Sequence, residues 1–292
     1  MSAQSDGTEI LMINTISFPH LGLKFTLSRV AFSIGGFPIY AYGLTITIGL
    51  ILAVIYGFKQ CKPQKSGEKI TDGLGVDDYL NMLLLAIPIS IICARIYYVV
   101  FSFDAYKDNL LSVFDIRGGG LAIYGGVIGG FLCGFIACKI RKVNFRAMAD
   151  LASFGFLIGQ TIGRWGNFIN QEAFGAQCAD DWLFGMTSVD IIARDHLEAG
   201  ALVHPCFLYE SVWCLVGFIA LHFYSKKLRT FDGEIMLMYL AWYGLGRSWI
   251  EGLRTDSLMA GELRISQVVA AVCFVACTIM VIVFKILTEK KH

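Results

Sequence analysis

Two arginines in apolar surroundings carry most of the chemistry this sequence offers. Arg164 lies in "GRWGNFINQE" (163–172), at the end of the run "LASFGFLIGQTI", and is followed by Asn167, Asn170 and Glu172. Arg247 lies in "YLAWYGLGRSWIEGLR", where Tyr239, Tyr243, Arg247 and Glu251 recur at every fourth residue and Arg254 follows three later. At 3.6 residues per turn all five fall on one helical stripe. A plain i, i+4 pair between Arg247 and Glu251 would merely staple that helix. Against this stand comparable residues elsewhere: Arg95 in "CARIYYV", and His204, Tyr209 and Glu210 in "HPCFLYE". An arginine inside an apolar span faces the protein interior or water and marks a site. One external-side cavity shared by several helices accounts for all of these residues. Arg164, Asn167 and Asn170 are spaced three apart and share a face, while Gly163 and Gly166 admit a neighbouring backbone. Arginines outnumber the carboxylates expected there, which suits an anion, and the guanidinium fork matches phosphate. At such depth the most available phosphate is a lipid headgroup.

The elements that position these residues are membrane spans. The chain is 56% hydrophobic and 16% charged, against roughly 25% charged for a soluble domain, with a mean hydropathy of +0.62. Apolar stretches long enough to cross a ~30 Å hydrocarbon core lie at roughly 40–58, 78–102, 119–138, 147–166, 207–224, 233–251 and 266–286. They predict an all-α, polytopic membrane protein of about seven transmembrane helices, forming one integral domain over 1–292. Basic flanks follow alternate spans: "KQCKPQKSGEK", "KIRKVNFR", "SKKLR" and "KILTEKKH". By the positive-inside rule these are cytoplasmic, so the N-terminus faces outward and the C-terminus inward. "MSAQSDGTEI", with Asp6 and Glu9 and no basic n-region, reads as a short external lead-in rather than a cleavable signal. Residues 172–204 are too long for an ordinary connection and form an external insertion, a small cap between the fourth and fifth spans.

No HExxH, Walker loop or strand-linked GxGxxG occurs, so neither a metal nor an organic cofactor is expected, and no nucleic-acid partner. Seven of the nine cysteines (Cys93, Cys133, Cys138, Cys206, Cys214, Cys273, Cys277) fall in or beside spans and read as small apolar residues, while Cys61 and Cys178 fall on opposite sides. In "GGGLAIYGGVIGG", Gly125 with Gly129 and Gly126 with Gly130 place small residues on one face for close helix packing.

"GRWGNFINQEAFG" resembles the G-R-x-G-N-F-x-N-x-E-x-x-G signature of the bacterial prolipoprotein diacylglyceryl transferase family. Companion stretches follow in the family's order along nearly the whole chain: "YAYGLTITIGL", "CARIYYVVF", "GGLAIYGGVIGG", "HPCFLYE" and "YGLGRSWIEGLR". The resemblance implies an enzyme of the bacterial inner membrane with its site toward the external face and seven spans, N-terminus outside. It implies transfer of the diacylglyceryl group of phosphatidylglycerol to the lipobox cysteine of a preprolipoprotein peptide, releasing glycerol phosphate, without a cofactor.

On that resemblance Arg164 and Arg247 bind the phosphate and stabilise the leaving group, Asn167 and Glu172 contact the headgroup or orient the arginines, and Tyr42 stands near the site. Arg95, Asn170, His204, Tyr243 and Glu251 complete the expected substrate-binding set, with Glu251 and Arg254 holding Arg247. A thiol of pKa about 8.5 must be ionised to react. Where the family pattern has a histidine in the third-span motif, this sequence has Tyr124. Three routes to the thiolate are therefore open: Tyr124 as a relay, the arginine field alone, or His204. The arginines by themselves also suit two other classes, a transporter or channel for an anionic metabolite and a non-enzymatic lipid-binding protein.

Overall fold

The computed structural model describes residues 13–62, 74–107, 109–115, 119–255, 259–261 and 263–290. The N-terminal stretch with Asp6 and Glu9, most of the basic loop after the first span, and Gly118 lie outside the described residues. Among the described residues seven helices of 19 or more residues stand where the spans were expected. They are α1 (Ala41–Gln60), α2 (Val76–Phe101), α3 (Ile123–Arg141), α4 (Phe145–Asn170), α6 (Cys206–Lys227), α7 (Glu234–Leu253) and α8 (Ile265–Glu289), with the short α5 (Val189–Arg194) between α4 and α6. Five of them, α1, α2, α3, α6 and α8, are long and apolar enough to cross a membrane. The other two, α4 and α7, are the helices of Arg164 and Arg247.

The all-α expectation is corrected in the segments outside the membrane spans. β1 (Ile13–Phe18) pairs antiparallel with β2 (Leu23–Ser28) from Ile13↔Ser28 to Phe18↔Leu23. β3 (Val30–Ile34) and β4 (Phe37–Tyr40) form a hairpin turning at Gly35 (φ 57) and Gly36 (φ 83), the positive φ pair that a two-residue turn requires. β5 (Thr187–Ser188) joins the edge of β1, giving the order β2-β1-β5, and β6 (Met259–Ala260) pairs with β7 (Leu263–Arg264). Strands this short leave no mark in hydropathy because they contain no apolar run of span length.

The chain gathers into two compact units: Met1–Ile55 with Ser153–His292, and Tyr56–Ala152. In the second, α2 and α3 pack through the small residues of "YGGVIGG". A Cβ added at Gly125 would strike the backbone of Cys93 and the Cβ of Tyr97, one at Gly129 would strike Cys93, and one at Gly130 the Ser90 hydroxyl. Its core gathers Leu74, Tyr79, Met82, Ala137, Cys138, Ala147, Met148 and Leu151.

In the first unit, the N-terminal strands and the 172–204 insertion share one core: Ile16, Phe18, Phe168, Phe174, Met186, Ile191, Val203 and Phe207. Ile16, Ile191 and Val203 are fully buried, each contributing about 1.5–3 kcal/mol relative to exposure. This joint core seats the cap on the end of α4, where Phe168 lies.

Helices α6 and α7 are locked by a reciprocal pair of tryptophans. Trp213 and Trp242 stack at 4.5 Å, and each indole Nε1 donates to the other residue's carbonyl at 2.9 Å. Gly217 and Gly246, each four residues after a tryptophan, make room: a Cβ at either would collide with the facing indole nitrogen. Glu210 and Arg247 flank this contact.

Candidate functional site

Three helices converge on the Glu210 carboxylate, which α6 carries in its first turns. Arg164 of α4 donates from Nη2 to its Oε1 at 2.5 Å, and Arg247 of α7 donates from Nη1 to its Oε2 at 3.1 Å. The Tyr243 hydroxyl donates to Oε1 at 3.2 Å. Arg247 also pairs through Nη2 with Glu251 Oε2 at 2.5 Å. Arg164 Nη1 donates to Asn167 Oδ1 at 3.2 Å, and Asn167 Nδ2 donates to Glu172 Oε1 at 3.0 Å.

The order of burial matters more than the tally of charge. The hydrogen-bonded cluster of Arg164, Arg247, Glu172, Glu210 and Glu251 holds two cations and three carboxylates. The Glu210 and Glu251 side chains are only 3% exposed, whereas the guanidinium side chains of Arg164 and Arg247 are 21% and 16% exposed. Glu210 and Glu251 thus lie deeper than the two cations, while Glu172 is half-buried. Two adjacent guanidiniums repel unless an anion lies between them, and Glu210 supplies it with one oxygen to each. A guanidinium has five N–H donors. The bonds above use two nitrogens, Nη1 and Nη2, on each arginine, and further N–H donors remain for an anion.

Glu210 appeared among the polar residues of "HPCFLYE" without a place in the expected site. Its signal was a lone carboxylate opening an apolar helix, since a buried carboxylate demands a cationic partner.

Tyr42, in the first turn of α1, lies against Gly166: a Cβ there would stand 2.6 Å from Tyr42 Cδ2. Gly163 likewise faces Ile46 Cδ1 at 3.1 Å, so these glycines admit side chains rather than the expected backbone. The arrangement puts the Tyr42 phenol within electrostatic reach of Arg164 and Glu172. A polar seam extends along the same helices: Gln160 Nε2 donates to the Tyr239 hydroxyl at 3.0 Å, and Ser211 Oγ donates to the Thr161 carbonyl at 2.7 Å.

His204 stands beside this network. Its Nδ1 is 3.2 Å from the Tyr209 hydroxyl, which also receives Trp182 Nε1 at 2.8 Å, and Tyr209 packs against Trp249 at 6.0 Å. Burial holds its imidazole below the usual histidine value. Asn170, half-buried, is the last residue of α4 and makes no hydrogen bond to the cluster among the described residues. Arg254 is the C-cap of α7 in an extended conformation, and its backbone bridges to Gly175.

Two expected members belong to the other compact unit. Arg95 is buried, and its five N–H donors reach five carbonyls: Nε to Val113 at 2.7 Å, Nη1 to Gly119 at 3.1 Å and Gly120 at 2.9 Å, Nη2 to Ser112 at 2.9 Å and Asp115 at 2.6 Å. With its five donors on these carbonyls it staples the α2–α3 loop. Tyr124, the second residue of α3, is 58% exposed.

The prolipoprotein diacylglyceryl transferase family model matches residues 29–283. The phosphatidylglycerol–prolipoprotein diacylglyceryl transferase of Bacillus cytotoxicus is 41% identical over 263 residues, covering 90% of this chain and 94% of that protein. The protein of the same name from Clostridioides difficile strain 630 is 44% identical over 246 residues, covering 84% and 91%, and that of Bacillus cereus strain G9842 is 42% identical over 263 residues, covering 90% and 94%.

Proposed function

The chain belongs to the prolipoprotein diacylglyceryl transferase family, and we propose that Arg164 and Arg247, held in register by Glu210, are the phosphate-handling pair of that reaction. It is a multi-pass membrane enzyme that moves the diacylglyceryl group of phosphatidylglycerol onto a prolipoprotein thiol. The sulfur of the lipobox cysteine attacks the glyceryl carbon, the bond from that carbon to the phosphate oxygen breaks with its electron pair, and glycerol phosphate departs. The thiol proton leaves to water or to the departing phosphate.

Displacement at carbon needs three things: a thiolate, a cation beside the leaving phosphate, and alignment of sulfur, carbon and oxygen. The two partly exposed guanidiniums serve the second need and part of the third. They also lower the pKa of a thiol brought beside them. We assign the thiolate to that field. His204 faces tyrosine and tryptophan, and Tyr124 is surface-exposed, which supports the field over either side chain as base. Asn167 and Glu172 orient Arg164, Glu251 orients Arg247, and Tyr42 and Tyr243 border the headgroup.

The observation that carries this reading is the shared carboxylate that aims two guanidiniums from α4 and α7. The relatives' transferase name supports it over a metabolite transporter. The orientation is argued from parity. β1 and β5 are hydrogen-bonded, so the segment before α1 and the segment after α4 share a side, and four crossings between them satisfy this. Three further crossings by α6, α7 and α8 put the C-terminus opposite, in a seven-span chain whose basic flanks face the cytoplasm. The deciding experiment reconstitutes the protein with phosphatidylglycerol and a lipobox peptide containing one cysteine. A diacylglyceryl mass gained by the peptide with wild type, and lost with Arg164→Ala and with Arg247→Ala, supports the assignment; a folded wild type that adds nothing overturns it.

A further inference from the structure

α4 ends in a Schellman turn: the Gln171 N–H donates to the Phe168 carbonyl at 3.1 Å and the Glu172 N–H to the Asn167 carbonyl at 3.0 Å. Glycine usually occupies the left-handed position of such a turn, but here it is Gln171 at φ 54, and Ala173 follows at φ 56. That conformation costs a residue with a Cβ about 1–2 kcal/mol. The side chain that glycine lacks is in use. Gln171 is 1% exposed, its Oε1 accepts from the Ser188 hydroxyl, and its carbonyl accepts from Arg194 Nη1 at 2.7 Å. Ser188 is the N-cap of α5, accepting from the Ile191 N–H at 3.1 Å, and Arg194 is the last residue of that helix. The Gln171 Nε2 atom is buried without a hydrogen-bond partner among the described residues, a second cost borne at this position.

On the other side of the turn Glu172 accepts from Asn167, and Asn167 accepts from Arg164. The cap's hydrogen bonds to Gln171 and the Glu172–Asn167–Arg164 hydrogen bonds thus meet in the backbone of one turn. Resting on the transferase reading above, we propose that Gln171 is a positioning residue: it clamps α5 of the cap onto the end of α4 and thereby fixes the aim of Arg164 at the lipid phosphate. It touches no substrate itself.

Gln171→Gly removes the side chain in a backbone conformation glycine favours, so the variant keeps its turn and its fold. Its Tm in detergent is expected to equal or exceed that of wild type. With phosphatidylglycerol and a single-cysteine lipobox peptide, its kcat/KM for the lipid is expected to fall about tenfold, with KM for the peptide unchanged. In an Asn167→Ala background the same substitution is expected to add no further loss, because the relay is already broken. Retention of kcat/KM by Gln171→Gly beside an active wild type, losses that multiply in the double variant, or a fall in Tm that parallels the loss of activity each overturn the positioning role alone. A folded wild type that makes no product overturns the transferase reading and the role that rests on it.

Discussion

Glu210 illustrates what a single residue decides in this site. Its two oxygens divide between Arg164 and Arg247, so neutralising it leaves the guanidiniums in place but unbalanced. Glu210→Gln is expected to lower kcat/KM about a hundredfold in the reconstituted assay, through the aim of both cations rather than through contact with substrate. Lysine keeps the charge of Arg164 or Arg247 and loses the fork. Arg164→Lys and Arg247→Lys are each expected to cost tenfold or more in turnover; full turnover with both would mean that charge without the bidentate fork is enough. The pH profile separates the routes to the thiolate. The folded state holds His204 below its ordinary value, so it is uncharged near pH 7, and its protonation on acidification below about pH 6.5 favours the unfolded state. A base of that kind is already deprotonated above pH 6.5. Activity is therefore expected to rise between about pH 6.5 and 8.5 as the substrate thiol ionises, with the same profile in His204→Gln and in Tyr124→Phe. A profile that flattens in either variant would restore that side chain as the base. Arg164, Arg247, Tyr243 and Glu251 were legible from spacing alone. The loop-stapling role of Arg95 was not legible, because its partners are backbone carbonyls, which leave no mark in a sequence.

Among the elements, the α6–α7 contact has the clearest local logic. Each helix offers a tryptophan and, one turn later, the glycine that receives the other's indole, and both indole N–H groups are satisfied on backbone carbonyls. Gly246→Ala places a methyl against the Trp213 nitrogen and is expected to destabilise the protein by about 1–3 kcal/mol, read as a lower Tm in detergent. Because Arg247 is the next residue, activity should fall before unfolding begins. An unchanged Tm would mean that the helices slide apart freely and do not set the site. The helices themselves were legible because a span must be about 20 apolar residues long. The hairpin over β3 and β4 also carried a signal, the "GG" between two short alternating runs, yet a reading tuned to hydropathy passes over strands of four to six residues.

At the scale of the whole molecule, the β1–β5 ladder puts the segment before α1 and the segment after α4 on one side, since strands separated by a membrane cannot exchange hydrogen bonds; which side that is follows from the proposed topology and is open to test. In a cysteine-free background, Val189→Cys on the cap is expected to react with an impermeant maleimide on intact cells, and Lys226→Cys only after permeabilisation. The reverse pattern would invert the topology. By itself the sequence determined the membrane class, the places of the long helices, the two arginines and, through its motif, the family. These rest on local properties: apolar length, helical spacing, and the high cost of charge in hydrocarbon. Only the tertiary structure decided that Glu210 unites the arginines, that Arg95 serves a loop instead, and that the N-terminal strands and the 172–204 insertion form one cap. Each of these depends on which distant group lies opposite, and a buried charge or an open strand edge constrains its partner's chemistry without naming its position in the chain.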